Sequence, residues 1–133
     1  MESDNSNYIH FILPSMPVSV NSLYQVIYSQ RRVELKPEAR KWKTEAKAQM
    51  PRWQYSANAF IRIDVRFECP LSTKNGKPRI RDVANLLKLL IDAVAERYCF
   101  DDCLVRAGSW SSVDTKQERV LVTLSEIGKE KSP

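Results

Sequence analysis

Four ionisable side chains grouped around one apolar stretch carry the chemistry available to this sequence. Asp82 directly precedes a run that reads as a helix, Val83–Tyr98, and Lys88 stands on that run. Asp101 and Asp102 follow it at once. Position 84, an alanine, lies one helical turn before Lys88, so the two share a side of the helix near its start. A basic, turn-rich segment, Ser72-Thr73-Lys74-Asn75-Gly76-Lys77-Pro78-Arg79, leads into Asp82. Carboxylates converging on Mg²⁺ beside a cationic surface are what phosphodiester hydrolysis needs. The metal activates a water and neutralises charge on the phosphorane-like transition state. Plainer roles exist for each group: Asp82 sits where an N-cap belongs, and an acidic pair in a loop is commonly just solvated.

The elements that must position these groups follow from periodicity. Tyr8–Leu13 predicts a strand with Ile9, Phe11 and Leu13 on one face and His10 on the other, ended by Pro14 and Pro17. Leu23–Leu35, rich in Tyr, Val and Ile, predicts a hairpin turning at Ser29-Gln30. Pro37 and Glu38 open a helix whose apolar positions are Ala39, Trp42 and Ala46, and Pro51 stops it. Arg40, Lys41, Lys43 and Lys47 lie opposite, as a solvated face. In Phe60–Glu68, Ile61, Ile63, Val65 and Phe67 alternate with charged residues, the pattern of a strand with one wet face. After the Val83–Tyr98 helix, Leu104–Trp110 and Glu118–Glu126 predict two strands, expected to pair as a hairpin. The fold class is mixed α/β (α+β): a single small domain, one mixed β-sheet packed with two helices, over residues 8–127. Residues 1–7 form an expected frayed arm and residues 128–133 a polar tail.

On the helical wheel, Asn85, Lys88, Asp92 and Glu96 make a narrow polar stripe, and apolar residues fill most of the remainder. A helix lying on its own sheet needs an apolar stripe only ~100° wide. The surplus on the Leu86–Leu89–Ala93 side predicts a second covering surface, supplied most simply by another copy of the chain through a two-fold interface.

Composition narrows the class of partner. The chain has 133 residues, 43% hydrophobic and 28% charged, which is globular and not disordered. Lys and Arg number 21 against 16 Asp and Glu, so nucleic acid is the first polyanion to consider. No apolar run approaches the ~18–20 residues that span a bilayer. Met1-Glu2-Ser3-Asp4-Asn5 is polar and acidic, unlike a secretory leader. An odd count of 3 cysteines argues against a disulfide scaffold, and a cytoplasmic setting is expected. Cys99 and Cys103 lack the further Cys or His ligands of a structural zinc site.

The run Arg81-Asp82-Val83-Ala84-Asn85-Leu86-Leu87-Lys88, then Ile91-Asp92-Ala93, then Phe100-Asp101-Asp102-Cys103-Leu104-Val105, resembles the RusA family of Holliday junction resolvases. Pro17-Val18-Ser19-Val20-Asn21-Ser22-Leu23-Tyr24 is similar to the family's N-terminal signature, and the resemblance covers residues 8–127. It implies a homodimeric, Mg²⁺-dependent endonuclease of bacterial or phage origin, with Mn²⁺ as a substitute metal. Such enzymes bind four-way DNA junctions and nick opposing strands. Asp82 matches the first catalytic aspartate, Asp102 the aspartate after the helix and Asp101 its neighbour. Asp82 and Asp102 are thereby the implied metal ligands, and Lys88 the lysine that polarises a phosphate oxygen. Arg81 matches a basic residue beside the metal, and Asn85 a polar position after the second acid.

One position departs from the pattern: Ala84 stands where the family has its second aspartate. A methyl group cannot ligate a metal, so cutting by this chain is expected to be weakened or lost. A deliberate inactivating replacement fits, and so does a natural lineage that binds junctions without cutting; the otherwise intact flanking pattern favours the former. The competing reading is a non-catalytic junction or nucleic-acid-binding protein, and a weaker one is a basic scaffold with no preference for branched DNA. For DNA contact the first candidates are Lys74, Lys77, Arg79 and Arg81, with Arg31, Arg32 and Lys36 as a second patch. Trp53 and Tyr55 offer rings to an unpaired base, although packing or anchoring of a loop is their plainer role.

Overall fold

The computed structural model describes residues 7–17, 24–27, 32–35, 37–56, 58–72, 76 and 83–128, with only the backbone of 24–27, 32–35 and 83–85. The strands are β1 (Tyr8–Leu13), β2 (Tyr24–Ile27), β3 (Arg32–Leu35), β4 (Ile61–Cys69), β5 (Val105–Asp114) and β6 (Arg119–Glu126). The helices are α1 (Pro37–Gln49) and α2 (Val83–Tyr98). β2 and β3 pair antiparallel, as the expected hairpin. The others form a four-stranded mixed sheet in the order β1-β6-β4-β5.

One face of that sheet is the core. Phe11 pairs with Val122 and Leu13 with Val120, while Val65 and Phe67 meet the same two residues from β4. All six are buried, together with Trp42 and Ala46 of α1 and Leu86, Leu89, Leu90, Ala93 and Val94 of α2. Lys43 and Lys47 do not stand clear in solvent as expected, because both bridge to Glu96 and so tie α1 to α2. The other face of the sheet is largely polar, although Tyr8 and Ile12 also stand exposed on it. His10 lies there, exposed and 3.0 Å from the Thr123 hydroxyl. Glu68 is the exception to a wet face: it is buried, held by the guanidinium groups of Arg66 and Arg119.

Two expectations are corrected. β5 and β6 do not pair as a hairpin; both flank β4, β5 running parallel to it and β6 antiparallel. The link 115–118 therefore passes the end of β4, where the Thr115 N–H donates to the Cys69 carbonyl at 3.1 Å. Side-chain character explains the order. β6 alternates Val120, Val122 and Leu124 and belongs at the centre, whereas the serines of β5 suit an edge. The second correction concerns α2. Leu86 (3% exposed), Leu89 (1%) and Ala93 (0%) are already covered within one chain, so that side requires no second copy. Among the described side chains of α2, the apolar ones left half-open are Leu87, Ile91 and Ala95.

Candidate active site

The end of α2 turns the chain sharply. Cys99 adopts φ 57°, and the Phe100 N–H donates to the Ala95 carbonyl at 3.1 Å, a Schellman closure. Asp101 comes next and caps a single 3-10 turn, Asp102–Leu104, by accepting the Cys103 N–H at 3.0 Å. That backbone hydrogen bond is the chief reason the Asp101 carboxyl lies below its ordinary range. Arg106 reinforces the turn: its Nε donates to the Cys103 carbonyl at 3.0 Å while its guanidinium lies 4.5 Å over the Phe60 ring. The chain then enters β5 beside β4.

This reversal folds Asp102 back against α2. Leu87, Lys88, Ile91, Asp92, Asp102 and Val105 line one open pocket of about 430 Å³. Lys88 and Asp102 are both exposed, and Asp92 is half-buried in the wall of the same pocket. Burial chiefly pushes the Asp92 carboxyl above its ordinary range. Lys43 and Lys88 pull it back, and the negative charges of Asp102 and Glu96 add to the rise. The pocket thus sets two carboxylates and an ammonium group on an apolar rim.

Of the residues singled out by sequence, Lys88 and Asp102 are brought together and Asp101 is turned to capping. Asp82, Lys74, Lys77, Arg79, Arg81, Arg31 and Lys36 lie outside the described residues, as do the side chains of Ala84 and Arg32. Asp92, which the sequence shows both in the polar stripe and in the Ile91-Asp92-Ala93 piece of the family motif but without an assigned role, is the further pocket residue. Its signal was present: it stands one turn beyond Lys88 and two beyond position 84.

A model of the family described as Endodeoxyribonuclease RusA matches residues 16–125, a span that includes every wall of this pocket. The chain belongs to the RusA endodeoxyribonuclease family. That membership suggests Holliday junction resolution as the setting for the Lys88–Asp102 pocket. No match is found among curated proteins. RusA nucleases are generally dependent on a divalent metal. Among the described residues no three His, Cys, Asp or Glu side chains gather closely enough to hold one. The donors present are nonetheless of the right kind. Asp92 and Asp102 offer hard carboxylate oxygens in an open pocket, which suits a hydrated Mg²⁺ or Mn²⁺ ion. Among the described residues no helix is long and apolar enough to cross a membrane.

Proposed function

We propose that this RusA-family chain is a Mg²⁺-dependent, structure-specific endonuclease acting by paired nicks on four-way DNA junctions, with its cutting disabled by Ala84. The observation that carries this reading is the convergence of Lys88 and Asp102 on one pocket inside the span that matches the family. Asp82 and Asp102 would hold the ion, and Mn²⁺ would substitute. When bound, the ion supplies activation of a water and neutralisation of phosphate charge. Lys88 holds a phosphate oxygen at the pocket rim and stabilises charge as it develops there. Asp101 acts through the backbone, fixing the turn that carries Asp102. Ala84 withholds one carboxylate from the start of α2, which weakens the ion's grip and reduces repulsion toward phosphates.

Lys74, Lys77, Arg79 and Arg81 are proposed to follow one DNA arm, with Arg31 and Arg32 as a second patch. These contacts give affinity that falls steeply with salt and carries no sequence information. A four-way junction has two-fold character, and paired nicks need two pockets, so the working form is proposed to be a homodimer. The 83–98 helix is proposed to contribute to that interface, next to the pocket that Leu87 and Ile91 help to line. The expected setting is the cytoplasm of a bacterial or phage-infected cell.

The deciding experiment is a nicking assay on a synthetic four-way junction with Mg²⁺, comparing this chain with Ala84→Asp. Paired cuts near the branch by the variant, with binding alone by the parent chain, are expected. A variant that binds the junction and still does not cut sinks the catalytic reading in favour of a junction-binding protein. Equal affinity for linear duplex and for the junction would sink branch recognition.

A further inference from the structure

The segment between α1 and β4 belongs to no helix or strand over residues 51–56, yet side chains fix it along its length. Arg97 Nε donates to the Met50 carbonyl at 3.2 Å, and the Tyr98 hydroxyl to the Pro51 carbonyl at 2.6 Å. Trp53 Nε1 donates to Asn7 Oδ1 at 3.0 Å, while the same Asn7 amide donates to the Gln54 carbonyl. The Tyr55 hydroxyl donates to the Tyr98 carbonyl at 2.6 Å, and Glu126 accepts the Ser56 N–H. The result is a rigid platform built from irregular backbone.

Its side chains alternate. Trp53 and Tyr55 are half-buried and packed on the core, their rings 5.1 Å apart, with Tyr98 edge-on to Trp53 at 5.7 Å. They are loop anchors, in line with their plainer sequence reading. Arg52 and Gln54, between and beside them, are exposed. Together with Asn7, Trp53 and Arg97 they line an open groove of about 570 Å³. The Arg97 guanidinium is pre-aimed, because its Nε is bonded and it lies 5.1 Å over the Tyr98 ring. Neither Arg52 nor Arg97 has an acidic ion-pair partner among the described residues. The groove shares no residue with the Lys88–Asp102 pocket.

We infer that this groove is a second nucleic-acid contact, made for an unpaired strand. Arg52 and Arg97 take its phosphates, the exposed part of the Trp53 indole takes a base, and the Gln54 amide meets the base edge. A duplex keeps its base faces stacked inside, whereas a single strand can lay one against an aromatic floor. Two guanidinium groups with no acidic partner among the described residues, on a pre-formed surface, favour phosphate, since little ordering accompanies binding. The inference rests on DNA being the substrate of this family member and adds a site distinct from the nicking pocket.

The test is fluorescence anisotropy of a fluorescein-labelled oligo-dT strand with the full chain. Arg52→Glu is the variant of choice, because Arg52 is exposed and makes no ion pair among the described residues. Lys116→Glu, an equally exposed charge in the β5–β6 link, controls for net charge. The expected result is weakening of about tenfold or more by Arg52→Glu, with a shallower salt dependence, and less than about twofold by Lys116→Glu. Equal binding by the parent chain and Arg52→Glu overturns the groove, as does an equal loss in both variants. Displacement of oligo-dT by poly-glutamate at matched charge also overturns it, showing a site for acidic peptides. Junction nicking by Ala84→Asp is read in parallel. Arg52-dependent oligo-dT binding without nicking would remove the nuclease reading and leave the groove standing. Nicking without Arg52-dependent binding would do the reverse.

Discussion

Asp101 and Asp102 are adjacent in sequence and opposite in use: the Asp101 carboxyl accepts the Cys103 N–H at 3.0 Å, while Asp102 lines the pocket with Lys88. Asn caps a turn as well as Asp does, and Ala does not. In an Ala84→Asp background, Asp101→Asn is therefore expected to keep the nicking rate within a few-fold, and Asp101→Ala to lower both rate and thermal midpoint. Asp102→Asn is expected to remove nicking while leaving the midpoint in place. Thermal melts alongside junction nicking read both effects. Loss of nicking in Asp101→Asn with full activity in Asp102→Asn would exchange the two assignments.

Lys88 separates catalysis from binding. In the same background, Lys88→Ala is expected to lower the nicking rate by roughly 10²-fold, the scale for losing one donor to developing charge. Junction affinity, spread over many phosphate contacts, should change by less than about tenfold. Single-turnover nicking and gel shift in Ca²⁺ measure the two quantities separately.

Cys99 occupies a left-handed position, φ 57°, that glycine adopts without strain. Cys99→Gly is expected to stabilise the fold by about 0.5–1 kcal/mol, and Cys99→Val, β-branched at the same φ, to destabilise it by at least as much. Urea denaturation of the three proteins checks the order. The turn also delivers Asp102, so Cys99→Val should slow nicking in the Ala84→Asp background.

Gly108 faces the opposite constraint. It pairs with Ile63 in the parallel β4–β5 ladder, and a Cβ there would clash with the Ile63 carbonyl oxygen. The neighbour is backbone and cannot swing away. Gly108→Ala is expected to destabilise by about 1–3 kcal/mol through displacement of the edge strand. Hydrogen exchange should show protection falling along β5 first.

Asp64 sets part of the acid limb of stability. The Arg62 guanidinium, at 2.9 Å, chiefly holds its carboxyl below the ordinary value of 3.8, and the Ser109 hydroxyl adds to this. A carboxylate depressed in the folded state stabilises above its unfolded pKa, and that contribution is lost as pH falls through the folded value. Asp64→Asn should therefore lower stability at pH 7 and shrink the difference as pH drops below about 3.8. Chemical denaturation at pH 7, 4 and 2.5 checks the sign. Arg62 is substantially exposed, so the effect is modest.

Local chemistry made much of this protein legible before any coordinates. Pro37, Pro51 and the spacing of Trp42 and Ala46 fix α1. The alternation through Ile61–Phe67 fixes β4, and the apolar run from Val83 to Tyr98 fixes α2, because each pattern reflects a periodicity internal to its own segment. The family resemblance was legible for the same reason, since its residues cluster within Arg81–Val105. What tertiary structure decided is how segments face one another. Sequence could not reveal that β5 and β6 stand on either side of β4, since a short link permits pairing or a step across one strand. Burial of Leu86, Leu89 and Ala93 likewise depends on α1 lying alongside. Only the left-handed turn at Cys99 separates the jobs of Asp101 and Asp102 and brings Asp102 to the pocket that Lys88 and Asp92 line. Contacts between distant segments depend on packing the whole core at once, and no local periodicity encodes them.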